Sequence, residues 1–107
     1  MKIIKSTLGL KKNLKELENI FLIPTMGNLH EGHLSLIKEA KKITNNIILT
    51  IFVNPIQFNS SIDLENYPRT LDLDIELLKK TDVSILFKPS VKDIYPKDSN
   101  LSYKMPI

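Results

Sequence analysis

The chain contains no cysteine among its 107 residues. This absence excludes disulfide bonds, thiolate metal sites and a cysteine nucleophile. No apolar run approaches the length of about 20 residues that a bilayer-spanning helix needs. Residues 1–6 also lack the long apolar stretch of a signal peptide. We therefore expect a cytoplasmic protein that does not associate with a membrane.

Arginine is nearly absent as well. Arg69 is the only arginine among 15 basic residues, the lysines are dispersed, and the net charge is only +3. Nucleic-acid-binding surfaces cluster their basic groups and favour arginine, so we expect no nucleic-acid partner. A hydrophobic content of 42% and a charged content of 25% are ordinary for a globular protein. At this length the chain is one domain or part of one.

Short apolar runs alternate with segments of helical spacing along the chain. Strands are predicted at residues 3–4, 20–24, 47–53, 83–87 and 101–103. Helices are predicted at residues 8–18, 31–43 and 70–78, with a helical turn at 91–94 and a surface loop at 59–68. We expect the runs at 20–24 and 47–53 to be buried. The alternation predicts an α/β fold, in which helices cover both faces of a parallel sheet.

Two of the predicted helices carry an apolar face. In the helix at 31–43 this face comprises Leu34, Ile37 and Ala40, with Leu36 and Ile43 alongside. In the helix at 70–78 it comprises Leu73, Leu77 and Leu78. Thr70 is the predicted N-cap of that helix. The acidic residues Asp72, Asp74 and Glu76 are interpreted as helix-start and solvent-exposed charges.

Three segments follow predicted strands, at residues 24–33, 54–58 and 89–96. Ligands of parallel sheets bind at the carboxyl ends of the strands, so we expect these segments to meet in one crevice. The segment at 24–33 holds both histidines, His30 and His33, and two of the three glycines. Free N–H groups at a helix start attract phosphate, and nearby imidazoles can donate protons to phosphoryl oxygens. This segment is therefore interpreted as a nucleotide triphosphate site.

The alternative for the histidine pair is a helix cap with incidental histidines. A metal site is not expected, because the two histidines are three residues apart, whereas the zinc pattern HExxH requires four. Asn54 and Gln57 follow the next strand and can hydrogen-bond a small polar substrate, although Asn-Pro also begins many turns. Arg69 is interpreted as a surface residue beside a helix cap, and Tyr95 as the edge of the core.

Four strings of the sequence together resemble pantothenate synthetase, the pantoate–β-alanine ligase family. They are PTMGNLHEGHLSLI at 24–37, IFVNPIQF at 51–58, DLENYPRTL at 63–71 and IYP at 94–96. The strings occur in the family's order and at its spacings, and the resemblance covers essentially the whole chain. It implies a Rossmann-like, nucleotidylyltransferase-like fold, truncated, with residues 1–107 forming the N-terminal part of a nucleotide-binding domain and the family's C-terminal domain absent.

The resemblance also implies an activity and a set of site residues. ATP, accompanied by Mg²⁺, would adenylate pantoate, and β-alanine would then displace AMP to give pantothenate. The implied ATP-binding residues are Met26, Gly27, Asn28, Leu29, His30, Glu31, Gly32 and His33. His33 would be the proton donor, Gln57 and Asn54 would contact pantoate and β-alanine, and Tyr67 would lie in a loop over the site. A homodimer is implied as well.

Family members are more than twice as long as this chain, which leaves two alternatives to an active ligase. The first is a catalytically inactive N-terminal fragment that only binds nucleotide or self-associates. The second is a different nucleotidylyltransferase that shares the histidine turn, although the strings at 54–58 and 67–70 argue against it. Release of AMP that depends on pantoate and β-alanine would separate the active ligase from the inactive fragment.

Overall fold

The computed structural model describes residues 1–95, which contain a four-stranded parallel sheet. The strands are β1 (Lys2–Ile4), β2 (Phe21–Thr25), β3 (Ile47–Ile51) and β4 (Ile85–Phe87). Their order across the sheet is β1-β4-β3-β2, and each neighbouring pair is parallel. The parallel sheet predicted from the alternating pattern is thereby confirmed. The strand predicted at residues 101–103 lies outside the described residues.

Within residues 1–95, five helices connect or follow the strands. They are α1 (Thr7–Leu14), α2 (Glu31–Lys41), α3 (Ser61–Asn66), α4 (Leu71–Leu78) and α5 (Val91–Ile94), with a 3₁₀ turn at Pro55–Gln57. Helix α3 corrects the loop predicted at residues 59–68. It has only six residues, too few to show an apolar repeat, and it begins where the Ser60 hydroxyl accepts the Asp63 N–H. No helix within residues 1–95 has the length and apolar character to cross a bilayer.

The core lies on both faces of the two central strands. On one face, α2 and α4 contribute Ile37 and Leu78, which pack with Leu49 of β3. On the other face, Leu10 and Leu14 of α1 pack against side chains that include Ile48 of β3. Successive residues of a strand point to opposite faces, so an unbroken apolar strand such as β3 serves both layers. The predicted coverage of both faces is therefore confirmed.

Strand β2 is an edge strand of the sheet within residues 1–95, which corrects the prediction that it is buried. Ile23 is buried, but Leu22 is 57% exposed and Pro24 is also exposed. An edge position tolerates Pro24, because proline has no N–H to donate to a strand on that side. Apolar composition alone does not distinguish a central strand from an edge strand.

Three predicted apolar contacts of the helices are also wrong. Helix α2 ends at Lys41, so Ile43 lies beyond it and is 71% exposed, and Leu36 is exposed beside the buried Ile37. In α4 the buried positions are Asp74 and Leu78, whereas Leu73 is 71% exposed. Consecutive helical residues are about 100° apart, so a shift of one position turns a leucine from the core to the surface.

Candidate functional site

The turn between β2 and α2 reverses the chain through two left-handed residues. Gly27 has φ of +83° and Asn28 has φ of +54°. Glycine adopts this region without steric cost, and asparagine is among the few other residues that visit it routinely. The turn leads directly into His30, the N-cap of α2. We name residues 27–33 the histidine turn.

The two imidazoles of the histidine turn cap the start of α2 reciprocally. His30 Nδ1 accepts the Gly32 N–H at 3.0 Å, and His33 Nδ1 accepts the His30 N–H at 3.1 Å. The ring centroids are 4.3 Å apart. The helix cap and the candidate site, weighed as alternatives from the sequence, are thus formed by the same residues.

This capping decides which ring atoms can meet a ligand. A neutral imidazole whose Nδ1 accepts a hydrogen bond carries its proton on Nε2. Both His30 and His33 can therefore donate through Nε2–H. The backbone N–H of Gly32 is bonded to His30 Nδ1, and that of His33 is bonded to the His30 carbonyl. The expectation that the helix start offers free N–H groups is wrong for these two residues, and the ring nitrogens are the donors instead.

Burial and neighbouring charge lower the pKa of His33 below its ordinary value of 6.5. Desolvation by burial is the larger cause, and repulsion by His30 acts in the same direction, while attraction to Asp74 opposes them. Each of the first two effects disfavours the charged imidazolium. His33 is therefore held neutral at physiological pH, with Nε2–H as its donor.

Asp74 of α4 fixes the histidine turn from a distant part of the sequence. Its Oδ2 accepts the Asn28 N–H and its Oδ1 accepts the Leu29 N–H, both at 3.0 Å. The hydroxyl of Thr70 also donates to Oδ2, at 3.1 Å. Asp74 is only 4% exposed, which corrects its interpretation as a solvent-exposed charge.

Thr70 occupies the predicted N-cap position of α4, but its side chain accepts no cap hydrogen bond there. The local spacing around Asp74 contains no signal for its real role. Its two partners in the histidine turn, Leu29 and Asn28, are 45 and 46 residues away, so only the fold brings them together with Asp74.

Both glycines of the histidine turn face close neighbours. A Cβ on Gly27 would lie 3.2 Å from Asp74 Oδ2 and 3.3 Å from Ile51 Cγ2. A Cβ on Gly32 would lie 2.8 Å from Cε1 of His30. Gly32 thus leaves room for the His30 ring to fold back over the helix start. Thr25 completes the anchoring, since its hydroxyl accepts the Gly27 N–H at 3.1 Å and donates to the Thr50 carbonyl at 2.8 Å.

A cavity of about 330 Å³ opens at the carboxyl ends of the strands. It brings together Met26 and Gly27 from the first predicted segment and Pro89 from the third. Arg69 and Lys88 add positive charge to a mostly apolar wall. His30, His33 and Gln57 are not among the residues that line this cavity, so the predicted site residues do not all share one pocket.

A hydrogen bond connects Asn54 to Tyr95 of the third predicted segment, residues 89–96. Oδ1 of Asn54 accepts the Tyr95 hydroxyl and also the Ile56 N–H, each at 3.2 Å. The amide group Nδ2 is therefore the part of Asn54 that can donate to a ligand. Gln57 ends the 3₁₀ turn that follows and is exposed.

The remaining predicted site residues make contacts within the protein, and these contacts limit which of their groups can bind a ligand. Leu29 packs its side chain on the core, which leaves only its backbone to the turn, and Glu31 is exposed. Tyr67 follows α3 and packs edge-on against Phe58, with ring centroids 5.5 Å apart. Arg69 is exposed and its Nη2 donates weakly to the Leu64 carbonyl at 3.5 Å.

The part of the chain that the structure describes contains no group of three or more His, Asp or Glu side chains placed to hold a metal ion. The histidine turn offers two imidazoles, and the carboxylate bonded to its backbone, Asp74, already accepts three hydrogen bonds. The chemistry available at this site is hydrogen-bond donation to an anionic ligand.

Comparisons with known proteins identify the family of the chain. A family model described as pantoate-beta-alanine ligase matches residues 2–106. The pantothenate synthetase of Idiomarina loihiensis is 45% identical over 97 residues, which are 91% of this chain and 34% of that protein. The pantothenate synthetase of Francisella tularensis subsp. novicida is 49% identical over 98 residues, covering 92% of this chain and 37% of that protein.

Solved structures give the same result. The pantothenate synthetase of Thermus thermophilus superimposes with a TM-score of 0.85 at 37% identity, over 92% of this chain and 35% of that one. The pantoate-beta-alanine ligase of Francisella tularensis, complexed with beta-gamma ATP and beta-alanine, gives 0.87 at 46% identity, over 94% of this chain and 40% of that one. The chain spans about a third of the length of its curated relatives, and over that third it belongs to the pantoate–β-alanine ligase family.

Proposed function

We propose that this chain supplies the ATP-binding part of a ligase that condenses pantoate with β-alanine. In the complete reaction a carboxylate oxygen of pantoate attacks the α-phosphorus of ATP and displaces pyrophosphate. The β-alanine amine then attacks the acyl carbon of the pantoyl-adenylate, giving pantothenate and AMP. The family membership of the chain supports this reaction, and the structure of the Francisella relative with beta-gamma ATP and beta-alanine supports ATP as the nucleotide.

The observation that carries the proposal is the reciprocal capping of His30 and His33. Because each Nδ1 accepts a backbone N–H, each ring presents Nε2–H as a donor. Fixed donors stabilise the charge that builds on phosphoryl oxygens without having to reorganise during the reaction. We assign the catalytic role to His33, whose lowered pKa keeps the ring neutral, so that its Nε2–H stabilises the phosphoryl charge as a hydrogen-bond donor and keeps its proton.

The other assigned residues provide the walls of the site. Met26 through His33 would contact ATP, and Met26 reaches the cavity at the strand ends. Asn54 would offer its Nδ2 group, and Gln57, exposed at the 3₁₀ turn, would bind pantoate and help to place β-alanine. Tyr67 would belong to the segment that covers the site. Holding two small substrates on one nucleotide accelerates the reaction through orientation.

Mg²⁺ is expected to reach the site with ATP. Among residues 1–95 no cluster of carboxylates or imidazoles forms a cage for it. Magnesium at phosphate sites is commonly held by substrate phosphates and water with few protein ligands. We assign no step of the reaction to the metal.

The first test is ATP binding to the 107-residue chain by isothermal titration calorimetry. We expect the wild-type chain to bind ATP and His33→Ala to bind it much more weakly. Ser35→Ala, an exposed change on the same helix, should bind as the wild type does. Equal affinity in His33→Ala and the wild type would contradict the assigned site.

The second test is release of AMP that requires both pantoate and β-alanine. His33→Ala should abolish it, and Gln57→Ala should weaken pantoate binding more than ATP binding. Equal weakening of both ligands would argue against the role of Gln57. ATP binding without AMP release would favour the second candidate, a nucleotide-binding fragment. The coverage of only 34% to 37% of the curated relatives is the observation that keeps this candidate.

The proposal extends to the organisation of the chain. We propose that residues 1–107 form the N-terminal part of a Rossmann-like nucleotide-binding domain, acting in the cytoplasm as a homodimer. The exposed edge strand β2 and the partial coverage of the relatives support an incomplete domain. Light scattering coupled to gel filtration tests the dimer, and a mass equal to one chain would exclude it.

A further inference from the structure

Asp74 has no part in the function proposed above, although it is the one buried charged side chain within residues 1–95. A carboxylate loses much of its hydration when it is buried, and the loss is tolerated when hydrogen bonds replace the water. Here the replacements are the N–H groups of Asn28 and Leu29 and the hydroxyl of Thr70. Two of these three donors belong to the histidine turn.

The geometry of this contact fixes a short piece of backbone in two directions. The two oxygens of one planar carboxylate bind two successive peptide N–H groups, each at 3.0 Å. The peptide groups can then neither slide nor rotate against α4 without losing a charge-assisted hydrogen bond. One of the bonded residues is Asn28, whose φ of +54° lies in the left-handed region that few residues other than glycine and asparagine adopt. The carboxylate thus holds the left-handed conformation that leads into His30.

We propose that Asp74 is the positioning residue of the histidine turn, directing Nε2 of His30 and His33 by holding the two peptide groups ahead of them. The consequence for ATP rests on the proposed function. Asp74 is among the residues that line the cavity at the strand ends, but its carboxylate already accepts three hydrogen bonds from the protein, so we assign it positioning of the turn and not binding of the ligand. The charge of Asp74 also acts on His33, because its attraction raises the pKa of that imidazole against the lowering by burial.

The test is Asp74→Asn, which preserves size and replaces one oxygen with an NH₂ group. Whichever way the amide turns, NH₂ faces an N–H donor. We expect the backbone amide signals of Asn28 and Leu29 and the ring signals of both histidines to shift in ¹H–¹⁵N and ¹H–¹³C spectra. Affinity for ATP should fall roughly 10-fold to 100-fold, as expected for misplaced binding groups. The matched control is Asp72→Asn, an exposed acid in the same helical turn, which should shift none of these signals.

Two further variants separate positioning from general stability. Leu78→Ala removes a fully buried side chain of the same helix, so it should lower the thermal midpoint while leaving the signals of the histidine turn and the ATP affinity unchanged. Thr70→Val withdraws only the hydroxyl on Oδ2, so the Asn28 amide should shift more than the Leu29 amide. If Asp74→Asn does not fold, Thr70→Val tests the positioning role of Asp74 in its place.

Each outcome bears on the inference. Unchanged turn signals in Asp74→Asn, or equal shifts in Asp72→Asn, overturn it, and so does a Thr70→Val chain in which the Asn28 amide does not move. If the wild type fails to bind ATP while Asp74→Asn still moves the turn and ring signals, the proposed function fails and the positioning of the turn stands. If the wild type binds ATP and Asp74→Asn binds it equally with unmoved ring signals, the inference fails and the proposed function stands.

Discussion

The histidine turn and the segment 54–67 both follow strands at the same end of the sheet, but they are held in different ways. In the histidine turn, Asp74 binds backbone N–H groups 45 and 46 residues away in sequence. In the segment 54–67, Asn54 caps Ile56 and Ser60 caps Asp63, which are two and three residues away. Among residues 1–95, the longest-range hydrogen bond of this segment is that from Tyr95 to Asn54.

This difference separates the two halves of the proposed site. The half proposed to bind phosphate is fixed by a buried charge and two reciprocally capping rings, so its donors have a set direction in the unliganded chain. The half proposed to bind pantoate and β-alanine is a series of local caps with Gln57 exposed at one turn. Local caps restrain neighbouring residues only, so this side has fewer contacts to lose when it moves.

The largest expected effect comes from Gly27→Ala in the histidine turn. The new Cβ would meet Asp74 Oδ2 at 3.2 Å and Ile51 Cγ2 at 3.3 Å, at a φ of +83°. We expect the free energy of unfolding to fall by about 2–3 kcal/mol, since left-handed backbone alone costs an alanine about 1–2 kcal/mol. Urea denaturation measures this, with Asn59→Ala in the other segment as a control within about 0.5 kcal/mol. Equal losses in both variants would remove the contrast between the regions.

A smaller effect is expected from Ser60→Ala in the segment 54–67. The change removes the acceptor of the Asp63 N–H and should cost about 1 kcal/mol or less, because the cap serves only the six-residue α3. Amide hydrogen exchange should increase within α3 and stay unchanged at residues 27–33. The neighbouring exposed Ser61→Ala is the matched control. Faster exchange in the histidine turn would show that the two regions are coupled.

The effect of pH on the stability of the folded chain, through His33, should be smaller again, because His33 is only partly buried. Its pKa in the folded chain lies below the ordinary 6.5, so the unfolded chain takes up the proton first. Stability is therefore highest above pH 6.5 and falls as the pH drops from 6.5 through the lowered folded value. His33→Gln keeps an acceptor for the His30 N–H but cannot titrate in this range. Thermal midpoints between about pH 5 and 8 should decline more in the wild type than in this variant, and parallel curves would contradict the assignment.

The smallest effect is expected from Tyr67→Phe. The ring keeps its edge-on contact with Phe58 at 5.5 Å, so the free energy of unfolding should change by less than about 0.5 kcal/mol, as for most peripheral substitutions. Tyr67→Ala, which removes the ring contact, should cost about 0.5–1.5 kcal/mol. Chemical denaturation of both variants measures the difference. Equal losses in the two would show that the hydroxyl carries the contact.

Most of the fold follows from local patterns in the sequence. The β-branched run of β3 and the apolar spacing of α2 predicted a buried strand and a helix, and both are confirmed. Short elements were missed: α3 is defined by one serine cap and has no hydrophobic repeat to reveal it. The sequence did not show that β2 is an edge strand. Strand order depends on pairing between distant segments, and an apolar residue such as Leu22 is compatible with either a central or an edge position.

For the candidate site, the sequence could single out His30 and His33 but not their arrangement. Their spacing and the glycines marked the turn, whereas the choice of Nδ1 as acceptor depends on the backbone conformation of the helix start. The roles of Gln57, Asn54 and Tyr67 stay predictions. Asn54 nevertheless acquires a defined donor group, because Tyr95 and Ile56 occupy its oxygen.

By itself the sequence determined the alternation of strand and helix, the family, and the histidines on which the candidate site depends, because these features are encoded in residues that are neighbours along the chain. Only the tertiary structure decided that β2 lies at an edge of the sheet and that Asp74 is buried with its carboxylate hydrogen-bonded to the histidine turn. The reason is geometric: a carboxylate on one helix can find its partners on another segment only after the parallel sheet has brought α2 and α4 to the same face.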